Sequence, residues 1–211
     1  MAWNLRSLRN SKLYLILDTE VAGYDQLFKI AKESVPAGVD IVQLRDKEGS
    51  ARDILKFSKL ILKILRNRIP YIVNDRLDLA LASGAAGVHL GGDDLPLSLA
   101  RKLTGKKFII GVSCQNMDQV KAAQKYGADY IGFGSVFKTL TKPLRQPMDL
   151  KLLEKVNAQS KIPLFAIGGI SENNISILKS IGIKRIAVCR SICDAKDVAQ
   201  ATGHLKNLLM S

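Results

Sequence analysis

The residues that could do chemistry stand where short apolar runs end. Arg45 and Lys47 follow one such run, Asp75 follows the next, and Asp94 lies just beyond a third. Arg and Lys neutralise phosphate oxygens, the first as a planar fork and the second as a point charge. Paired carboxylates bind a hard divalent ion such as Mg²⁺, which commonly completes its shell with substrate phosphates. Acidic and basic groups together therefore indicate a metal-bound diphosphate, with Asp75 and Asp94 as the metal ligands.

Each aspartate taken alone has a second interpretation. An Asp that follows a strand often caps the helix that comes next, where it also meets the positive end of the helix dipole. The presence of Arg45 and Lys47 beside both aspartates favours the metal interpretation. His89 stands near the end of its run without a convincing Ser or Cys partner, and we interpret it as a packed strand residue.

A second phosphate-binding segment is indicated by Gly168-Gly169, ahead of Ser171, which we expect to cap a helix. Backbone amides at such a turn bind a monophosphate, aided by the helix dipole. A Gly-Gly pair is also common in ordinary turns. This pair follows the seventh apolar run, and barrels often bind a phosphate between the loops after strands 7 and 8, so its position favours phosphate binding. The long segment 134–147, with Thr139, Thr141 and Lys142, is a candidate lid or else a solvated basic turn.

These residues must be positioned by a repeating set of strands and helices. The apolar runs are short, lack polar alternation and are therefore typical of parallel strands buried on both faces. Eight of them occur, at 13–17, 39–44, 71–73, 88–90, 108–112, 130–133, 164–167 and 186–189. Three intervening segments show apolar stripes at helical spacing, namely Ile54/Phe57/Ile61/Leu65, Ile175/Leu178/Ile181 and Val198/Ala201/Leu205/Leu208.

Eight strand–helix units in 211 residues predict an α/β fold, a (β/α)8 TIM barrel of one domain over 1–211, with 1–12 as a short N-terminal extension. A doubly wound open sheet is the alternative. In both folds ligands bind at the carboxyl ends of the strands. The charged residues at the run ends would then share one face.

Composition limits the classes of function. A net charge of +13 favours anionic partners, among them phosphorylated small molecules and nucleic acid. The Lys and Arg residues are spread over many helices without a recognition motif, so a nucleic-acid-binding protein is the weaker hypothesis. The sequence predicts neither a signal peptide nor a membrane span. Three cysteines, with Cys189 and Cys193 interpreted as ordinary thiols, indicate a reduced, cytoplasmic protein.

The motifs, taken together, resemble the thiamine-phosphate synthase family, also called thiamine-phosphate pyrophosphorylase. "QLRDK", "ND", "GVHLGGDD", "GVS", "GFGSVFKTLTK" and "IPLFAIGGIS" occur in the family's order and spacing across nearly the whole chain. The resemblance implies a (β/α)8 barrel that joins 4-amino-2-methyl-5-(diphosphooxymethyl)pyrimidine to a thiazole phosphate, giving thiamine phosphate and diphosphate. A related thiazole tautomerase is the alternative, but it does not need two aspartates and a basic lid together.

The resemblance also implies roles for individual residues. Asp75 and Asp94 would bind Mg²⁺ as the cofactor. The pyrimidine diphosphate would be held by Gln43, Arg45, Lys47, Asn74, Ser113 and Lys142. The catalytic groups among these would be Arg45, Lys47, Ser113 and Lys142. The thiazole phosphate partner would contact Thr139, Thr141, Gly169, Cys189 and Arg190.

The implied chemistry needs no nucleophilic side chain. Diphosphate leaves first, the pyrimidine methyl cation is stabilised by its own amino group, and the thiazole nitrogen attacks. The protein neutralises charge, orients two substrates and excludes water. Arg190 departs from the Ser usual in the family, and it either binds the thiazole phosphate or points away. The expected partners are small phosphorylated substrates, with no nucleic acid and no membrane, and a homo-oligomer is left open.

Overall fold

The computed structural model describes residues 5–140 and 145–211 of the chain. Within these ranges eight strands alternate with helices. The strands are β1 (Leu13–Asp18), β2 (Ile41–Arg45), β3 (Tyr71–Asn74), β4 (Gly87–Leu90), β5 (Ile109–Cys114), β6 (Tyr130–Phe133), β7 (Leu164–Ile167) and β8 (Ile186–Val188). All eight predicted runs form strands.

The helices cover the outside of the strands. They are α1 (Leu5–Asn10), α2 (Tyr24–Ser34), α3 (Ala51–Leu65), α4 (Leu77–Ser83), α5 (Leu97–Thr104), α6 (Met117–Lys125), α7 (Leu150–Gln159), α8 (Ile175–Ser180), α9 (Arg190–Cys193) and α10 (Val198–Met210). Among the helices of these ranges, none is long and apolar enough to cross a membrane.

The sheet closes on itself. Each strand pairs in parallel with the next, and β1 also pairs with β8, with Leu13 opposite Ile186. This closure confirms the (β/α)8 barrel and excludes the open sheet. Since all strands run in one direction, their carboxyl ends form one rim and their amino ends form the other.

Side chains alternate between the inside of the barrel and the helical layer. On β1, Tyr14 packs with Phe165 in the inner cluster, whereas Leu13 and Leu15 belong to the larger outer core. The rings of Tyr14 and Phe165 meet edge to face at 5.4 Å. Gly111 makes room for the inner aromatic residues, because a Cβ there would lie 2.0 Å from the Tyr130 ring.

Helix faces agree with the predicted stripes in part. The α3 stripe is confirmed, with Phe57 and its partners buried, and the Ser50 side chain caps this helix by accepting from the Asp53 N–H. In α10 the buried face runs through Thr202 and Leu209, so the predicted Ala201 and Leu208 lie at its edge.

Ser171 does not cap α8, and that prediction is wrong. The helix begins at Ile175, with Asn174 at the cap position. The Asn174 side chain turns back, accepting from the Ser171 N–H at 2.9 Å and donating to the Gly169 carbonyl at 2.8 Å. These two bonds close a tight turn between β7 and α8, and the helix starts only after it.

Candidate active site

Several of the predicted site residues meet at the carboxyl rim of the barrel. Arg45 and Asn74 are the last residues of β2 and β3, and Ser113 is the next-to-last residue of β5. Gln43 lies two residues inside the rim and is buried. Neighbouring parallel strands therefore bring together side chains that are far apart in sequence.

Two carboxyl groups form the acidic centre of this rim. Asp75 follows β3 in a left-handed conformation with φ of 62°, which Asp tolerates better than most residues, and its N–H donates to the His89 carbonyl at 2.8 Å. One Asp94 oxygen accepts the Gly91 N–H at 2.6 Å. The two carboxyl groups lie within hydrogen-bonding reach of each other.

The environment of this pair suits a divalent cation. Partial burial, followed by the adjacent Asp75 carboxyl, raises the pKa of Asp94 above its ordinary value. Two carboxylates so close repel each other unless a cation or a proton lies between them. The helix-capping alternative is wrong for both, because Arg76 stands at the cap of α4 and Pro96 at the cap of α5.

Lys47 lies against the acidic pair. Its Nζ forms an ion pair with Asp75. The loop that carries Lys47 is ordered by the Asp46 carboxylate, which accepts the N–H groups of Glu48 and Gly49 at 3.1 and 2.7 Å and the Tyr24 hydroxyl. Lys47 is thus placed where a metal-bound phosphate would also lie.

Arg45 is held by two acids that the sequence analysis did not assign to the site. Its Nη1 donates to both oxygens of Asp18 at 3.0 and 2.9 Å and lies 2.8 Å from Glu20. Asp18 is 1% exposed, and burial raises its pKa, against the opposing influence of the Glu20 N–H and the Arg45 cation. The sequence signal for Asp18 was available, since it directly follows the first apolar run, at 13–17. The structure then places its backbone opposite that of Arg45 in the parallel register.

The buried amides of the site hydrogen-bond to each other. Gln43 Nε2 donates to Asn74 Oδ1 at 3.3 Å, and Gln43 Oε1 accepts the Tyr14 hydroxyl at 2.7 Å. Both amide side chains are almost fully buried. Their orientation is therefore set before a substrate arrives.

The series of hydrogen bonds that begins at Asn74, Gln43 and Tyr14 continues through the inside of the barrel to Ser113. The Tyr14 and Tyr130 hydroxyls are 2.8 Å apart, the Tyr130 hydroxyl lies 3.1 Å from His89 Nδ1, and His89 Nε2 lies 3.0 Å from Ser113 Oγ. His89 is on β4 as expected, but the expectation that it has no Ser partner is wrong. Tyr14 and Tyr130 were missed, and the Ser113 contact of His89 was not foreseen, because only the strand register brings these residues together.

The turns after β7 and β8 form the other side of the rim. Gly168 and Gly169 have φ of 103° and 66°, and a Cβ on Gly169 would lie 2.3 Å from the Lys138 carbonyl oxygen. Glycine is therefore required at Gly169 for both reasons. The Ser191 hydroxyl donates to the Ile170 carbonyl and joins the two turns.

Cys189 and Arg190 lie at the β8 turn. Arg190 forms an ion pair with Asp194 at 3.0 Å, one helical turn away. The three cysteines are free thiols. A hydrogen bond with Cys193, together with burial, raises the pKa of Cys189 far above its ordinary value, so it is a protonated thiol at neutral pH.

Three predicted residues belong to the segment after β6. Thr139 is half-buried there. Thr141 and Lys142 lie outside the described residues, so the predicted lid lysine stays a prediction. In the described ranges no cluster of three or more His, Cys, Asp or Glu side chains is arranged to hold a metal. The Asp75–Asp94 pair still fits Mg²⁺, which commonly uses only one or two protein carboxylates.

A closed (β/α)8 barrel with charged side chains gathered at the carboxyl rim is typical of an enzyme, since active sites of such barrels lie at this rim. A family model described as thiamine monophosphate synthase matches residues 13–192. The chain belongs to the thiamine monophosphate synthase family.

Individual relatives agree with this assignment. A thiamine-phosphate synthase of Fusobacterium nucleatum is 40% identical over 95% of this chain and 98% of its own length. One of Coprothermobacter proteolyticus is 41% identical over 94% of both chains. The structure of a thiamine phosphate pyrophosphorylase from Pyrococcus furiosus superposes with a TM-score of 0.87 at 33% identity, covering 98% of both chains.

More distant structures share the fold alone. KGPDC from Streptococcus mutans gives a TM-score of 0.72 at 14% identity, over 95% of this chain and 97% of its own. Barrels of this shape thus support other reactions, and the substrate preference of this chain must come from its rim residues.

Proposed function

We propose that this transferase, which joins the pyrimidine diphosphate to the thiazole phosphate and releases diphosphate, works by dissociative loss of diphosphate from a site built on Asp75 and Asp94. The observation that carries the proposal is the placement of both carboxyl groups side by side at the rim, with Lys47 ion-paired to Asp75. Neither carboxylate caps a helix, so both are available as ligands.

Asp75 and Asp94 would hold Mg²⁺, the metal best suited to two carboxylates and a diphosphate. When bound, the ion supplies positive charge that stabilises the leaving diphosphate. The raised pKa of Asp94 supports this assignment, since a cation would relieve the repulsion that contributes to the shift.

Lys47 and Arg45 supply further charge at the rim. Lys47 is 43% exposed, so it can move from Asp75 to a phosphate oxygen when a metal replaces it. Arg45 is fixed by Asp18 and Glu20, which orient its guanidinium and leave part of it at the rim. Lys142 would join them on the leaving group, as the family resemblance implies.

The buried polar chain orients the pyrimidine diphosphate. Tyr14 holds Gln43, and Gln43 in turn donates to Asn74. Ser113 is exposed at the far end and lies against His89. The other ring nitrogen of His89, Nδ1, lies 3.1 Å from the Tyr130 hydroxyl. This arrangement supports a positioning role for Ser113 rather than attack by its hydroxyl.

The thiazole phosphate would bind at the joined turns after β7 and β8, through Gly169, Cys189 and Arg190. The close approach of Gly169 to the backbone and the Ser191 bridge between the turns support a preformed site. Thr139 and Thr141 would contact the thiazole. The nitrogen of the thiazole then attacks the pyrimidine methyl cation, and the role of the protein is to orient the two substrates and exclude water.

We also place the reaction in the cytoplasm, which three free thiols in a biosynthetic enzyme support. We treat residues 1–211 as one domain, with 1–12 preceding the barrel. Its expected partners remain small phosphorylated substrates.

A coupling assay with both substrates tests the proposal, with thiamine phosphate as the product measured. We expect Asp75→Asn and Asp94→Asn to lower turnover by about 10³-fold, as loss of metal-ion charge stabilisation predicts. The matched control is Asp93→Asn, because Asp93 is exposed and adjacent in sequence. Wild-type rates in the Asp75 and Asp94 variants, or activity unaffected by removal of Mg²⁺, would rule the metal site out.

A further inference from the structure

A basic cavity lies at the opposite end of the barrel from the rim just described. Lys12 directly precedes β1 and Arg185 directly precedes β8, so both mark the amino ends of the strands. Arg9 on α1 and Lys206 on α10 complete the walls with Lys184. No residue of this cavity belongs to the proposed catalytic site.

The cavity has a volume of about 420 Å³, within the range of small-molecule sites. Five of the described residues that line it are basic, and none is acidic. An open cavity lined in this way attracts anions through the sum of its charges.

The carboxylate of Asp40 compensates part of this charge. Asp40 pairs with Lys206 Nζ at 2.5 Å and also accepts the backbone N–H groups of Lys12 and Leu13 at 2.7 and 2.9 Å. The Lys12 ammonium donates to the Leu209 carbonyl at 2.9 Å. Among the described residues, four of the five cations therefore have no ion-pair partner.

Arg185 is the least compensated of them. It is half-buried, and burial lowers the pKa of its guanidinium. Its Nη2 donates to the Arg9 carbonyl at 2.6 Å, while its Nε is shielded from solvent and has no hydrogen-bond partner within the described part of the chain. A half-buried cation without a carboxylate is costly unless an anion binds beside it.

We propose that this cavity, formed by Arg9, Lys12, Lys184, Arg185 and Lys206, is a binding site for a small anion that carries a diphosphate group. Guanidinium forks and ammonium groups on several sides match an anion with many oxygens better than a single carboxylate or monophosphate. Four uncompensated cations also match the charge of a diphosphate more closely than that of a monophosphate. The ligand is either free diphosphate or a nucleoside diphosphate, which share this chemistry.

Calorimetric titration with inorganic diphosphate in EDTA tests the site, because removing Mg²⁺ suppresses binding at the metal-dependent rim. We expect Lys184→Gln/Arg185→Gln to weaken binding by roughly tenfold or more, the loss of two charge-assisted contacts. The matched control, Lys102→Gln/Lys155→Gln, removes the same charge from exposed helix positions and should change affinity by less than about twofold. If the double variant does not fold, the single variant Lys184→Gln is titrated instead. Because Lys184 is exposed, this substitution should leave the fold intact.

Two further titrations show where the anion binds and which anion is preferred. Lys47→Gln, at the rim, should leave this binding unchanged, and ADP compared with inorganic diphosphate tells whether the nucleoside contributes. Wild-type affinity in the cavity variants overturns the proposal, as does loss of binding in Lys47→Gln or equal affinity for monophosphate or single-stranded RNA. The coupling assay on the cavity variants keeps the two proposals separate, because the catalytic proposal expects these variants to keep their activity.

Discussion

The two ends of the barrel differ in whether their basic side chains are paired with carboxylates. At the carboxyl rim Arg45 lies against Asp18 and Glu20, and Lys47 lies against Asp75. At the amino end several cations surround a cavity, and only Lys206 among them forms an ion pair, with Asp40, in the part of the chain that the structure describes. The rim is therefore suited to a metal ion and an anion together, and the cavity to an anion alone.

This difference shows that net charge by itself says little about function. The value of +13 predicts an anionic partner. The net charge does not distinguish a rim at which basic and acidic side chains form ion pairs from a cavity lined mainly by basic side chains. The two kinds of site should respond differently to the loss of one charged side chain, and four variants test this.

Replacing Arg45 should have the largest effect. Arg45→Gln leaves Asp18 buried without its cationic partner, and breaking such a pair costs about 3 kcal/mol or more in the free energy of unfolding. Urea denaturation measures this cost. We expect the double variant Arg45→Gln/Asp18→Asn to regain stability. An Arg45→Gln variant as stable as the wild type would show that the ion pair with Arg45 does not stabilise the buried Asp18.

Replacing Lys47 should chiefly affect turnover. Lys47→Gln removes one positive group from the leaving diphosphate, and losses of this kind lower kcat by about 10²-fold. Because the ion pair with Asp75 also disappears, Mg²⁺ should bind the free enzyme at least as tightly as before. Weaker Mg²⁺ binding in this variant would mean that Lys47 shapes the acidic pair instead of competing with the metal.

Replacing Asp46 should give a smaller, pH-dependent loss. Although partial burial tends to raise it, the pKa of Asp46 is lowered on balance by hydrogen bonds from Tyr24, Gly49 and Glu48. A carboxyl group whose pKa is lower in the folded than in the unfolded protein stabilises the fold at pH values above its unfolded-state pKa. That stabilisation is lost as the pH falls through the folded-state pKa. We expect Asp46→Asn to cost about 1 kcal/mol or less at pH 7, since the group is partly exposed.

Thermal unfolding of wild type and Asp46→Asn between pH 7 and pH 3 checks this expectation. The difference between the two proteins should shrink as the pH falls below about 4, where the free carboxyl protonates. A difference that stays constant would show that the hydrogen bonds do not depend on the ionised form.

Replacing Lys184 at the amino end should have the smallest effect on stability. Lys184 is exposed and has no ion pair among the described residues, so Lys184→Gln should change the free energy of unfolding by less than about 0.5 kcal/mol. The same urea denaturation used for Arg45→Gln gives the direct comparison. A loss as large as that of Arg45→Gln would remove the contrast between the two ends.

The barrel was predictable from the sequence because its signal is local. Each strand is a short apolar run, eight such runs occur along the chain, and three of the segments between or after them carry apolar stripes at helical spacing. Arg45, Asn74 and Ser113 were predictable for the same reason, since each directly follows its run, and Asp94 lies four residues beyond its run. Asp75 and Asp94 do come together, as that pattern predicts.

The rest depends on contacts between distant segments. The bonds of His89 to Ser113 and Tyr130 join three strands, and no local pattern gives their register. Ser171 matched a capping position, but Asn174 made the turn instead. The basic cavity combines residues from both ends of the chain, so only the closed barrel shows it.

The pairing of Asp75 with Asp94 around a metal is tested most directly by electron paramagnetic resonance of Mn²⁺, a hard ion that takes the same oxygen ligands as Mg²⁺. The titration is done with the pyrimidine diphosphate present. We expect one tightly bound Mn²⁺ per chain in the wild type and in Asp93→Asn, and none in Asp75→Asn or Asp94→Asn. Unchanged Mn²⁺ binding in the last two variants would contradict the metal site.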